Sequence, residues 1–240
     1  MSLIKEYSKY YSEESKKYDA QLFKHPYESY RNLAINEKLI SYFPDKKDLS
    51  VLDAGCGTGE NTIRLILENM NSPKVTGVDF AQGMVEKSRS KYPGCKFYQA
   101  LLNKLPFPDS HFDMILSREV LEHVLESEAA LKDMCRVLKS GGILILSTPS
   151  WFGLIGPFYF IKKMLGKMEL VENWRSPMRL SAMLKKAGFT AQIIDGVCPV
   201  LYHEALPEFL VALVKKLDKI LLRLPLIKYF GRVAVIKAQK

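Results

Sequence analysis

The chain carries only four cysteines in 240 residues, at 56, 95, 135 and 198, and none stands in C-x-x-C spacing. That scarcity excludes a zinc knuckle and a disulfide framework, so four reduced thiols are expected. An apolar start is also missing: Met1 to Lys17 is rich in Lys, Glu, Ser and Tyr, and it reads as no secretory leader. No apolar run is long enough to span a bilayer, because the densest, Trp151 to Ile161, is short and broken by Gly156-Pro157. Internal repeats and low-complexity tracts are absent. What remains, 48% hydrophobic and 25% charged residues, is the composition of a chain that buries a full core in one main domain. A cytoplasmic protein is expected, free or held at the inner face of a membrane from outside the lipid.

Among the features present, Val51-Leu-Asp-Ala-Gly-Cys-Gly-Thr-Gly-Glu60 reads as a buried strand that empties into a glycine loop and opens a helix over Asn61 to Met70. Its glycines fall at 55, 57 and 59, and Glu60 stands where a dinucleotide fingerprint needs a third small residue, which disfavours a nicotinamide dinucleotide. Asp53 ahead of the glycines would repel a phosphate but suits a ligand bearing an ammonium and a sulfonium, while the helix amides suit a carboxylate. S-adenosylmethionine carries those groups. A second strand, Lys74 to Asp79, ends in an acid 22 residues after Gly57, near the spacing at which a carboxylate reaches ribose hydroxyls, and Phe80 beside it can lie on adenine. The plainer alternatives are that Asp79 caps the helix of Ala81 to Lys91 and that Phe80 is core.

Residues 49 to 149 resemble the core of the class I S-adenosylmethionine-dependent methyltransferases. The likeness rests on VLDAGCGTG, GVDFAQGMVEKSR, the Leu105-to-Ser117 run LPFPDSHFDMILS, then REVLEHV from Arg118 and RVLKSGGILILSTP from Arg136, in the family's order. It implies S-adenosylmethionine as cofactor, with Asp53, Gly55, Gly57 and Gly59 around the methionine moiety, Asp79 on the ribose, Phe80 and Leu102 flanking adenine, and the Arg118 backbone near the methionine part. One departure stands out: the acid that the family commonly has near the adenine amino group is replaced by Leu101 and Leu102, leaving that edge to backbone groups and packing.

Methyl transfer is an in-line displacement, so positioning and water exclusion carry much of it, and a base is needed only for a protonated acceptor. His123 is the candidate catalytic base, against the reading that it hydrogen-bonds within the fold. Glu119, Glu122 and His123 at i, i+3 and i+4 are expected on one helical face, and E-x-x-E-H resembles the ubiquinone-biosynthesis O-methyltransferases. A divalent metal there stays open beside a solvated acidic helix start, and the expected transfer is to oxygen of a small lipophilic or aromatic acceptor.

Charge divides the chain. Residues 1 to 149 hold 20 basic and 20 acidic side chains, whereas residues 150 to 240 hold 15 and 6, the whole of the +9 excess. In that last third, 150 to 180 is expected to form an acceptor lid rich in aromatics, and 204 to 226 an amphipathic helical insert. Apolar residues at 210, 213, 214, 217, 220, 221 and 224 make a stripe opposite Lys215, Lys216, Lys219 and Arg223. Such a helix either packs its stripe on the domain or rests on an anionic membrane surface. Nucleic acid is not the expected partner: Ser117-Arg-Glu-Val is no N-P-P-Y motif, Cys198-Pro199 reverses the Pro-Cys order, and no RNA-binding module is visible. RNA methylation and a non-catalytic, cofactor-binding, membrane-associated scaffold are the alternatives.

The fold class expected is α/β, with strands near 49–54, 74–79, 96–99, 112–117, 142–147, 191–196 and 231–237 alternating with helices. The family likeness implies a Rossmann-like seven-stranded sheet with its last strand antiparallel, helices on both faces and inserts after strands five and six. Residues 1–48, with Tyr7, Tyr10, Tyr11 and Tyr18-Asp19, read as an N-terminal helical lid or a surface helix before a methyltransferase domain over 49–240. Ser127 is expected to cap a helix reaching Leu138, which Gly141-Gly142 would end.

Overall fold

The structure is a computed structural model describing residues 2–21, 26–150, 173–198, 208–221, 224 and 231–240. Short apolar runs form seven strands: β1 (Ser50–Ala54), β2 (Lys74–Asp79), β3 (Lys96–Gln99), β4 (Phe112–Arg118), β5 (Leu138–Pro149), β6 (Ala191–Val197) and β7 (Val233–Gln239). Helices α1 (Ser2–Glu14), α2 (Tyr18–Gln21) and α3 (Pro26–Ile40) precede them. The others are α4 (Ile63–Asn69), α5 (Gln82–Lys91), α6 (Ser127–Val137), α7 (Pro177–Ala187) and α8 (Glu208–Leu221). The sheet order is β3-β2-β1-β4-β5-β7-β6. β7 runs antiparallel to β5 and β6, and the other neighbours are parallel, as expected.

Both faces of the sheet are buried, because successive side chains point to opposite sides. In β4, Met114 and Leu116 join Ile35 and Leu39 of α3 and Ile63 and Ile66 of α4, whereas Ile115 joins Leu131 and Met134 of α6 and Leu180 and Leu184 of α7. Each such side chain contributes about 1.5–3 kcal/mol when fully buried. β1 pairs β2 on one side and β4 on the other, so the chain reverses its direction of travel across the sheet there and leaves a crevice beyond the strand ends.

Three local expectations change. β5 begins at Leu138 and runs through Gly141 and Gly142 instead of starting after them. Gly141 takes φ 74°, and a Cβ on Gly142 would lie 2.8 Å from Leu138 Cγ, so this pair accommodates an irregular register against β4 rather than stopping a helix. Ser127 does not cap α6: its hydroxyl donates to the Val124 carbonyl at 2.8 Å, and Glu126 holds the cap position. The helix after the glycine loop is shorter than expected, starting at Ile63.

The N-terminal helices are tied to the domain. The Gly83 amide donates to Ser12 Oγ at 3.1 Å, Ser8 Oγ donates to the Phe80 carbonyl at 3.3 Å, and Lys87 Nζ donates to the Ser15 carbonyl at 2.6 Å. A Cβ on Gly83 would sit 2.8 Å from the Ser12 carbonyl oxygen, so α1 approaches α5 as closely as it does because residue 83 has no side chain. Asp19 adds ion pairs to Lys87 at 2.9 Å and Lys91 at 2.6 Å. On the far side, α8 follows β6. Of the expected acceptor lid over 150–180, residues 151–172, including Trp151 to Ile161, lie outside the described residues, and residues 177–180 form the start of α7. Among those residues no helix is long and apolar enough to cross a membrane.

Candidate functional site

Three glycines with positive φ, 86° at Gly55, 52° at Gly57 and 80° at Gly59, turn the chain from β1 toward α4. The Gly55 and Cys56 amides both donate to the Val78 carbonyl, at 2.8 and 2.9 Å, which pins the loop to the end of β2. A Cβ on Gly55 would lie 2.5 Å from the Val120 methyls, and one on Gly59 would lie 2.7 Å from the Tyr92 ring. At Gly57 a Cβ would meet nothing within 4 Å. The first and third glycines therefore permit packing, and the second opens the backbone toward empty space.

That space is a cavity of about 260 Å³ beyond the ends of β1, β2 and β4, lined by α1 and α2 residues as well. Gly55, Gly57, Asp79, Phe80, Leu102, Arg118 and His123 line it, seven residues the sequence nominated. Asp53 and Gly59 do not. Asp53 is fully buried beneath the loop, where one carboxylate oxygen accepts from the Thr62 hydroxyl and the other has no partner. Its place is loop support rather than cavity wall, because β1 turns its side chain inward toward α4.

Asp79 closes β2 with both oxygens engaged, accepting from the Gly57 amide and the Ala81 amide at 2.9 Å each. It therefore holds the turn between β2 and α5 and faces the cavity at once; the cap position of α5 itself is Ala81, with no side-chain cap. Burial raises its pKa to about 6 against the pull of those amides, and burial raises Asp53 to about 7, the Thr62 hydroxyl opposing and Asp79 adding to the rise. Near neutral pH the wall under the glycine loop thus holds two carboxyls that take up negative charge reluctantly. A cationic ligand would favour their ionised form.

At the end of β4 the buried Arg118 donates to Asn32 Oδ1 of α3 at 2.8 Å, and its Nε has no partner. Burial holds its pKa down at about 10. Glu119 takes φ 53° and pairs with Arg31, the preceding residue of α3. Glu122 is buried and accepts from Thr148 at 3.0 Å, its pKa raised well above the usual carboxylate range by burial first and by Glu119 second. The expected helical face of Glu119, Glu122 and His123 is not formed. Glu119 follows the strand and a 3-10 turn covers Leu121–His123, so Glu119 pairs with Arg31 and lines the cavity, Glu122 accepts from Thr148, and His123 Nε2 lies 3.9 Å from Glu122 Oε1 at the cavity wall. Among the described residues no group of three or more His, Cys, Asp or Glu is disposed to hold a metal.

The opposite wall comes from the tyrosine-rich start. The Tyr11 ring stands edge-on to Phe80 at 5.6 Å and to His123 at 6.1 Å, with Ile4, Tyr7 and Tyr18 nearby. Asn103 and Glu126 also reach the cavity and bond to each other at 2.7 Å, close to the edge where Leu101 and Leu102 replace the family's acid. Asn32 and Glu126 lay outside the sequence reading, because only tertiary packing brings them in. Tyr18 was read as part of the N-terminal lid and Glu119 as part of the E-x-x-E-H pattern, neither as a cofactor-site residue.

The residues present suit S-adenosylmethionine. A carboxylate faces the space beside a glycine whose Cβ position is open, apolar walls flank an aromatic ring, and a buried guanidinium has an unpartnered donor. A profile of the family described as methyltransferase domain matches residues 45–219. The chain belongs to that family. It is a class I methyltransferase domain, and S-adenosylmethionine is its methyl donor.

A probable S-adenosylmethionine-dependent methyltransferase of Mycobacterium tuberculosis is 34% identical over 100 residues, 42% of this chain and 35% of that protein. A ubiquinone/menaquinone biosynthesis C-methyltransferase of Geotalea daltonii is 33% identical over 145 residues, 56% of this chain and 60% of that protein. The matches thus span about a third to three fifths of these curated relatives. The fold matches that of a Thermotoga maritima methyltransferase described as a possible histamine N-methyltransferase, with a TM-score of 0.71 at 20% identity over 96% of this chain and 97% of the other.

Proposed function

We propose that this domain methylates a small lipophilic, aromatic acceptor at a ring carbon made nucleophilic by a neighbouring hydroxyl. The observation that carries the reading is His123 in the cavity wall with Val120, Val124 and Leu125, an imidazole among apolar side chains within reach of the cofactor loop. Transfer to oxygen was the expectation from E-x-x-E-H. The quinone-pathway relative is named for carbon, which supports carbon as the acceptor atom in this reading.

In this reading Asp79 accepts from the ribose hydroxyls, Phe80 and Leu102 enclose the adenine, and the Gly57 backbone approaches the amino-acid part. The Arg118 guanidinium, fixed by Asn32, receives that part's carboxylate. When bound, S-adenosylmethionine supplies a methyl on a positively charged sulfur whose departure as a neutral thioether is favourable. His123 takes the proton of the ring hydroxyl, which spreads negative charge onto the adjacent carbon; once that carbon carries the methyl, its own hydrogen leaves as a proton and the oxygen is reprotonated, which restores the aromatic ring with one proton released overall. Tyr11 and α1 cover the reacting centre and exclude water.

A transfer assay with carbon-13-methyl cofactor tests the reading, run against hydroxylated quinone precursors, small amines and RNA and followed by NMR of the product methyl. The expected signal is a carbon-bound methyl on the quinone precursor. A methyl on RNA or on an amine alone overturns it, and transfer to none of the three, with cofactor binding intact, favours the scaffold alternative.

A further inference from the structure

α8 is packed on the domain in an unexpected rotation. Its inward side carries Val211, Val214 and Asp218, and Asp218 is wholly buried, accepting from Tyr30 of α3 at 2.9 Å. Its outward side carries Leu213, Leu217 and Ile220, which are 51%, 40% and 52% exposed, and Leu224 beyond the helix is 48% exposed. A helix that served only to cover the sheet would turn leucines inward and its carboxylate to water. Here a carboxylate is fixed inside, and the large apolar residues Leu213, Leu217 and Ile220, spaced as i, i+4 and i+7, form one outward line. Other exposed large apolar residues are spread over separate elements, which is ordinary for a protein surface.

The border of that line is basic. Lys215, Lys216 and Lys219 are exposed, and the acidic residues of α8 are Glu208 at its start and the buried Asp218. Lys215 also rests over the Tyr30 ring at 5.3 Å. We propose that this face docks on an anionic lipid bilayer. Leucine and isoleucine side chains enter the acyl boundary while Lys216 and Lys219 extend to the phosphate layer. The charge of the border selects anionic over neutral lipid.

The docking face and the cavity share one helix. Three consecutive residues of α3 reach different partners: Tyr30 bonds Asp218 of α8, Arg31 pairs with Glu119, and Asn32 accepts from Arg118. A bilayer against α8 is therefore one helix away from the cofactor site. This inference stands apart from the choice of acceptor.

Flotation of the full chain with phosphatidylglycerol/phosphatidylcholine vesicles, against phosphatidylcholine alone, tests it at low and high salt. Expected is flotation with the anionic vesicles only, reduced about tenfold or more by K216Q/K219Q and by high salt. L213S/L217S/I220S should abolish it, with both variants retaining wild-type affinity for S-adenosylmethionine by calorimetry. Equal flotation with neutral vesicles, none with either, or variants that float like wild type would overturn it. So would concentration-dependent dimerisation in sedimentation velocity that the apolar variant removes, which assigns the face to a second copy.

Discussion

The two sides of the crevice are built in different ways. On the β1–β2 side, the glycine loop and Asp79 come from short consecutive segments, and the constraint is in the backbone: positive φ at three glycines and two amides donated to one carboxylate. On the β4 side, the wall is assembled from side chains far apart in the chain, Arg118 with Asn32, Glu119 with Arg31, and His123 with Tyr11. The first side is suited to a ligand that never varies. Apart from Arg118, which serves the cofactor, the second is free to change with the acceptor, because its residues are joined through side chains and not through the backbone.

If that division holds, damage on the acceptor side spares cofactor binding. His123→Ala should lower turnover about 10²–10⁴-fold, the range for loss of a positioned general base, with cofactor affinity unchanged within about twofold. Single-turnover kinetics and calorimetry read the two quantities; equal loss in both would merge the two sides. Damage on the cofactor side has the converse signature. Asp79→Ala removes charge-assisted hydrogen bonds worth about 1.5–3 kcal/mol, so affinity should fall about ten- to a hundredfold and turnover at saturating cofactor should fall far less.

Proton linkage sharpens the contrast further. Asp79 and Asp53 titrate at about 6 and about 7, both above their ordinary value of 3.8. Their raised values favour the folded state while the groups are protonated. That contribution is fully present below the ordinary value and is lost as pH rises through 6 and 7. The ligand-free chain should thus lose this part of its thermal stability between about pH 4 and 7. Affinity for a sulfonium should move the opposite way, falling by up to about tenfold per pH unit below the carboxyl pKa values. Scanning fluorimetry with and without cofactor across that range measures both, and parallel slopes would refute the linkage. The smallest effect is expected at Gly83→Ala. Its new methyl would displace α1 from Ser12 and weaken cofactor binding a few-fold, with no change in the pH dependence set by Asp79.

The same division governs what the sequence made legible. The strands, the glycine loop and the acid that ends β2 were readable because short continuous apolar runs and glycine turns are local constraints. Asp53 was assigned to the cavity because chain position says nothing about the direction in which β1 turns it. Glu119 and Glu122 read as one helical face because the backbone leaves the strand through a positive φ at a non-glycine residue, which no spacing rule anticipates. In α8 the stripe was seen but its rotation was not. Periodicity finds the leucines, yet Tyr30, far away in the chain, decides that Asp218 is the residue turned inward.

The position of α1 has a practical consequence. Ile4 and Tyr7 border the cavity, so any polypeptide attached ahead of this helix emerges beside its mouth. Gln239 instead pairs with Ile143 and Ala191, at the end of the strands opposite the crevice. An affinity handle or fluorophore joined after Lys240 leaves the entrance untouched, whereas kinetics recorded on an amino-terminal fusion would report the fusion together with the enzyme.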